Sequence, residues 1–178
     1  FTLIIPLIYP YAVEFGLSDF QASLLTTAYA AAQFLATPIL GRLSDRMGRK
    51  PLLIVSLLGT VAANLMAGLA PAAWMLFVAR LLDGITGGNT SIAQAIVGDI
   101  TNPDQRARAY GIFGAVFRLG FVVGPPLSYV AQLVPPLPGF TSLGMGFLFS
   151  AAIALLAALL CLVLLPETLE NCCDTFRI

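Results

Sequence analysis

The chain has 178 residues, 58% of them hydrophobic and only 10% charged, with a mean hydropathy of +0.91. Soluble domains carry about 25% charged residues, so the composition excludes an ordinary water-soluble fold and indicates an all-α membrane protein. Nine basic and nine acidic residues cancel and histidine is absent, which leaves no net field for nucleic acid and removes Ser-His and Cys-His nucleophile pairs and most zinc sites. No enzymatic activity, metal or organic cofactor is expected. Cys161 lies in an apolar run and Cys172 and Cys173 are adjacent, a spacing that fits neither a disulfide framework nor a metal site.

In chain order, residues 1–13 are apolar with Pro6 and Pro10, shorter than the roughly 20 residues that cross a bilayer. The chain also opens on Phe1 without a basic signal-peptide start. The reading is the second half of a first spanning segment, in a piece of a longer protein. Ser18 with Gln21 forms a capping-box start, and the uncharged run Phe20 to Leu40 is the second segment. Gly41 to Pro51 then concentrates Arg42, Asp45, Arg46, Arg49 and Lys50, with glycines at Gly41 and Gly48, and is expected to be a tight charged turn. Pro51 to Ala70 is the third segment, and Trp74 to Val97, which contains Arg80 and Asp83, is the fourth. After the polar link Asp99 to Gln105, Asn102 is expected to cap a fifth segment carrying Arg106, Arg108 and Arg118. Pro125 and Pro126 should bend that helix. The run from Pro135 to Gly139 breaks the chain, and Thr141 to Leu165 is the sixth segment, ending in Pro166-Glu167-Thr168.

Lys and Arg cluster after the second and fourth segments, and the other three links have none, so those two links are assigned to the cytoplasm. The expected location is a cell membrane, plasma or bacterial inner, with the lipid bilayer as first partner. Residues 1–170 form one six-helix bundle in this reading, and residues 171–178 a short cytoplasmic tail.

Three groups of residues stand out. Gly84 and Gly88, and Gly120 and Gly124 followed by Pro125, have the spacing that lets membrane helices approach closely or bend. Arg80, Asp83 and Arg118 fall near mid-membrane, where a central arginine costs about 2.5–3.5 kcal/mol and turns toward protein or water. With Gln33, Asn64, Asn89 and Gln94 they are candidates to line a polar cavity whose surplus positive charge favours an anionic substrate. Asp45 and Asp99 are candidate mates for the basic residues Arg46, Arg49, Lys50, Arg106 and Arg108, in a set of ion pairs that would hold helices together at the cytoplasmic face.

Gly41-Arg-Leu-Ser-Asp45-Arg-Met-Gly48-Arg49-Lys50-Pro resembles the signature loop between helices two and three of the major facilitator superfamily of secondary transporters. Arg80 with Gly84 resembles that superfamily's helix-four motif, Asp99-Ile-Thr with Arg106-Ala-Arg108 its next cytoplasmic junction, and Gly120-Phe-Val-Val-Gly124-Pro125 its antiporter motif on helix five. Leu127-Ser128-Tyr129 depart from the usual pair of glycines after that motif, and Arg118 and Asp83 are unusual at their positions. The resemblance, closest to drug:proton antiporters of the tetracycline-efflux type, implies one six-helix half of a twelve-helix fold. It further implies a missing C-terminal half, a small-molecule substrate, alternating access and a proton gradient as driving force. The alternative is a non-transporting half-size interaction module or a degenerate truncated product.

Overall fold

Apolar segments without water must close their backbone hydrogen bonds internally, which helices do. The computed structural model describes residues 4–135 and 143–165, and every regular element among them is helical. In order these are α1 (Ile5–Glu14), α2 (Asp19–Met47), α3 (Arg49–Gly68), α4 (Ala73–Thr86), α5 (Asn89–Ile100), α6 (Arg106–Leu133) and α7 (Gly144–Leu164). The tail 171–178, Pro166-Glu167-Thr168, Cys172, Cys173 and the stretch 136–142 lie outside the described residues.

Four stretches are long and apolar enough to cross a membrane: Asp19–Met47, Arg49–Gly68, Pro103–Leu133 and Gly144–Leu164. α1 has 10 residues, α4 has 14 and α5 has 12, each below the roughly 20 of a full crossing. The expected fourth segment is therefore not one helix, because Gly87 and Gly88 split it into α4 and α5. Glycine has the least to gain from a helix and the most freedom to leave it.

The expected charged turn also changes. Gly41 to Met47 continue α2, and only Gly48, at φ 101°, separates it from α3. Arg42, Leu43, Arg46 and Met47 are good helix formers, and Ser44 is buried on the inner face, so the helix runs on until a residue that accepts positive φ. Ser18 does cap α2: its backbone N–H donates to Gln21 Oε1 at 3.0 Å and its Oγ accepts from the Gln21 N–H at 3.4 Å. Asn102 makes no side-chain cap. A 3-10 turn, Pro103–Gln105, leads into α6 instead, and α6 stays helical through Pro125 and Pro126.

α2 packs on α4, and α3 packs on both α4 and α7. The α2–α4 contact is close at Gly84, where an added Cβ would lie 2.6 Å from the Tyr29 carbonyl oxygen and 2.7 Å from Ala32 Cβ. Gly88 similarly faces the Leu40 side chain. A core at one end gathers Leu7, Tyr11, Ala12, Leu25, Leu76 and Phe147. There the Tyr11 hydroxyl donates to the Ala67 carbonyl at 2.9 Å, and its ring lies 5.1 Å from that of Phe147. α6 turns Ile112, Val116, Leu119, Val122 and Val130 outward, a surface suited to lipid or to further apolar helices.

Gly84→Ala should lower the unfolding midpoint in detergent, corresponding to about 1–3 kcal/mol, because the added methyl meets backbone rather than a movable side-chain tip. An unchanged midpoint would mean that α2 and α4 separate freely.

Candidate functional site

Breaking a helix inside an apolar bundle releases carbonyl groups that no water can serve. At the α4–α5 break φ stays helical, while ψ moves to 9° at Gly87 and 0° at Gly88, away from the helical value near −42°. Two carbonyls at the break take side-chain donors: Ser56 Oγ on α3 donates to the Thr86 carbonyl and Gln33 Nε2 on α2 donates to the Gly87 carbonyl at 3.0 Å. The Gly88 carbonyl keeps the first bond of α5, from the Ile92 N–H at 3.1 Å, with Ser91 Oγ also donating to it at 2.8 Å. Two neighbouring helices thus hold the break from the side.

A cavity of about 240 Å³ opens at this point, lined by Tyr29, Gln33, Thr60, Asn64, Asp83, Asn89 and Thr90 with an aromatic wall of Phe117 and Phe121. Asn64 is 1% exposed; its Nδ2 donates to the Thr60 carbonyl at 2.8 Å, and its Oδ1 has no hydrogen-bond partner among the described residues. Asp83 Oδ2 meets Arg80 Nη1 at 3.4 Å, and both side chains are buried. The Arg80 guanidinium lies over the Phe147 ring, 5.1 Å from its centroid, within reach of a cation–π contact. Arg80 is not among the cavity-lining residues, so Asp83 supplies the fixed charge nearest that space.

Gln33, Asn64, Asp83 and Asn89 therefore come together. Arg118 and Gln94 do not: both are exposed and line no part of this cavity. Successive helical residues turn by about 100°, so the face that presents Phe117 and Phe121 carries Arg118 away. Gly120 has open space where a Cβ would stand, whereas Gly124 is buried. Tyr29, Ser56, Thr60, Gly87, Thr90, Phe117 and Phe121 were not singled out from sequence. One signal was present, because Ser56, Thr60 and Asn64 recur every fourth residue and form a polar stripe along one face of α3.

At one end of the bundle Arg49 Nη1 sits 2.6 Å from Asp99 Oδ2, while Arg49 Nη2 lies 3.4 Å from Asp45 Oδ1. This brings the start of α3 and the end of α5 to the same end. Arg42, Arg46, Lys50, Arg106 and Arg108 make no ion pair among the described residues. Gly41 has open space around it and Gly48 is the turn residue.

Helices of membrane length, a broken helix with its carbonyls captured and a buried Arg–Asp pair define a polytopic membrane protein with a polar interior. The chain belongs to the major facilitator superfamily, whose sequence profile matches residues 1–171. It is 37% identical over 142 residues to the tetracycline resistance protein, class B, of Escherichia coli, covering 78% of this chain and 35% of that protein. It is 32% identical over 171 residues to multidrug resistance protein 1 of Bacillus subtilis (strain 168), covering 95% of this chain and 42% of the relative. The class C tetracycline resistance protein of Escherichia coli is 44% identical over 101 residues, 57% of this chain and 26% of its own length. The chain thus spans between about a quarter and two-fifths of the curated relatives it matches.

Gln33→Leu should destabilise the protein by about 1–3 kcal/mol, since it strands the Gly87 carbonyl without its donor. Gln94→Leu, on the exposed face, should stay within about 0.5 kcal/mol. Equal unfolding midpoints for the two variants would show that the Gln33 bond contributes nothing.

Proposed function

We propose that this chain is the N-terminal six-helix half of a secondary active transporter that exports a small organic compound in exchange for protons. In this reading α4 and α5 together make one crossing, so α1, α2, α3, α4 with α5, α6 and α7 make up the half. The observation that carries it is the polar cavity at the α4–α5 break, beside the buried Arg80–Asp83 pair. Intramembrane ionisable residues are expensive and mark substrate or proton paths, and broken helices are a recurring device of transporters. Superfamily membership and the names of the relatives agree with it.

The mechanism assigns a role to each charged cluster. Protonation of Asp83 would remove the charge that faces Arg80, freeing the guanidinium to move to another partner and shifting the balance between two conformations. Arg49 with Asp99 and Asp45 would hold one end state closed at the cytoplasmic face. The other half would complete the substrate path, and the two halves would rock about it.

The test is transport by the native-length protein in proteoliposomes, with and without an imposed pH gradient. The compound panel starts with tetracycline, for which the class B and class C relatives are named. Gradient-driven movement of at least one compound is expected. Arg49→Leu should slow the initial rate about tenfold at equal protein incorporation, as a loss of about 1.4 kcal/mol from one end state would do. Transport at the unaltered rate in this variant would remove the ion pair from the mechanism, and indifference to the gradient with every compound would remove proton coupling.

A further inference from the structure

The cavity at the helix break carries a second chemistry. Its polar lining is dominated by oxygen: the Asp83 carboxylate, the Asn64 amide oxygen, and the Thr60 and Thr90 hydroxyls. Thr60 and Asp83 both line the cavity, and Asn64 follows Thr60 one helical turn later on the same face of α3, its Nδ2 tied down to the Thr60 carbonyl. That bond leaves Asn64 Oδ1, like the Thr60 hydroxyl, without a hydrogen-bond partner among the described residues, on two residues that line the cavity, Asn64 being only 1% exposed. A buried acceptor without a donor is uncommon in native proteins and asks for an electropositive partner.

The electrostatics favour a cation. The α4 C-terminus and the α5 N-terminus meet at the break, so their opposed partial charges offset. Asp83 is the charge that borders the space, because Arg80, paired with it at 3.4 Å, lies toward Phe147 and does not line the cavity. Hard cations take carboxylate, amide and hydroxyl oxygens together, and the ends of interrupted membrane helices are places where transporters hold Na⁺. A space of about 240 Å³ is room for about eight waters, enough for a small ion that keeps part of its hydration shell and too generous for a bare one.

From these placements we infer a monovalent metal-cation site, of Na⁺ size, formed by Asp83, Thr60 and Asn64 inside this helical bundle. It stands on the cavity alone and does not require the transport reading. Binding is therefore measured without transport, so a protein that moves no compound can still pass, and a working transporter can still fail.

The experiment is thermal unfolding of the purified native-length protein in detergent, titrated with NaCl against choline chloride at matched ionic strength. A saturable rise in midpoint with Na⁺ alone is expected, the signature of a ligand that binds the folded state. Asn64→Leu removes an unpaired acceptor, so folding is retained, and it should weaken the apparent Na⁺ affinity by about tenfold or more. Thr60→Val should weaken it in the same direction, and Arg118→Leu, outside the cavity, should leave it unchanged. Three results would overturn the site: equal shifts with Na⁺ and choline, a full Na⁺ response in both Asn64→Leu and Thr60→Val, or a response to methylammonium with none to Na⁺, which would assign the cavity to an organic cation.

Discussion

The capture of the backbone carbonyls of Thr86 and Gly87 is the constraint on which the rest of the structure depends. An interrupted helix in an apolar bundle is tolerated only where its freed groups find partners. The donors come from Ser56 on α3 and Gln33 on α2. The break therefore fixes the rotation of two neighbouring helices, which must turn polar side chains inward at one depth. Close packing follows from the same requirement: Gly84 lets α4 approach the backbone of α2, and Gly59 faces Thr86 across the α3–α4 contact. Without small residues at those positions the donors could not reach.

Once the helices are held this way, the polar residues they carry share a space. Thr60 and Asn64 lie on the same stripe of α3 as Ser56, and Asp83 lies one turn before the break on α4. Arg80 is placed by helical spacing to meet Asp83 and by packing to lie on Phe147. The charged end is a separate device, in which Arg49 links α3 to the end of α5. α5 runs from the break to Asp99, so one helix joins the break to that ion pair.

Much of this was legible in the residues and some was not. The apolar runs announced helices, Ser18 and Gln21 announced the start of α2, and the pairing of Asp83 with Arg80 follows from three-residue spacing. The Gly41–Pro51 stretch misled, because its charges looked like a turn although Arg, Leu and Met favour a helix, and a single glycine proved enough to end it. The fourth segment misled for the opposite reason: its hydropathy continues through Gly87 and Gly88, and periodicity does not register a change of ψ at two residues that lack side chains. Arg118 falls inside α6, but the direction of its side chain depends on the rotation of that helix, which tertiary contacts set. The polar stripe of α3 was readable only with the break as a reason to look for it.

The central claim is that α4 and α5 are separate helices whose junction borders a polar space. Amide hydrogen exchange across residues 73–100 of the native-length protein tests it most directly. At a helix N-terminus the first N–H groups have no intrahelical acceptor, so the amides of Asn89, Thr90 and Ser91 should exchange faster than those of the turns on either side, a local maximum inside an otherwise protected segment. Uniform protection from Ala73 to Ile100 would mean one continuous helix and would contradict the account.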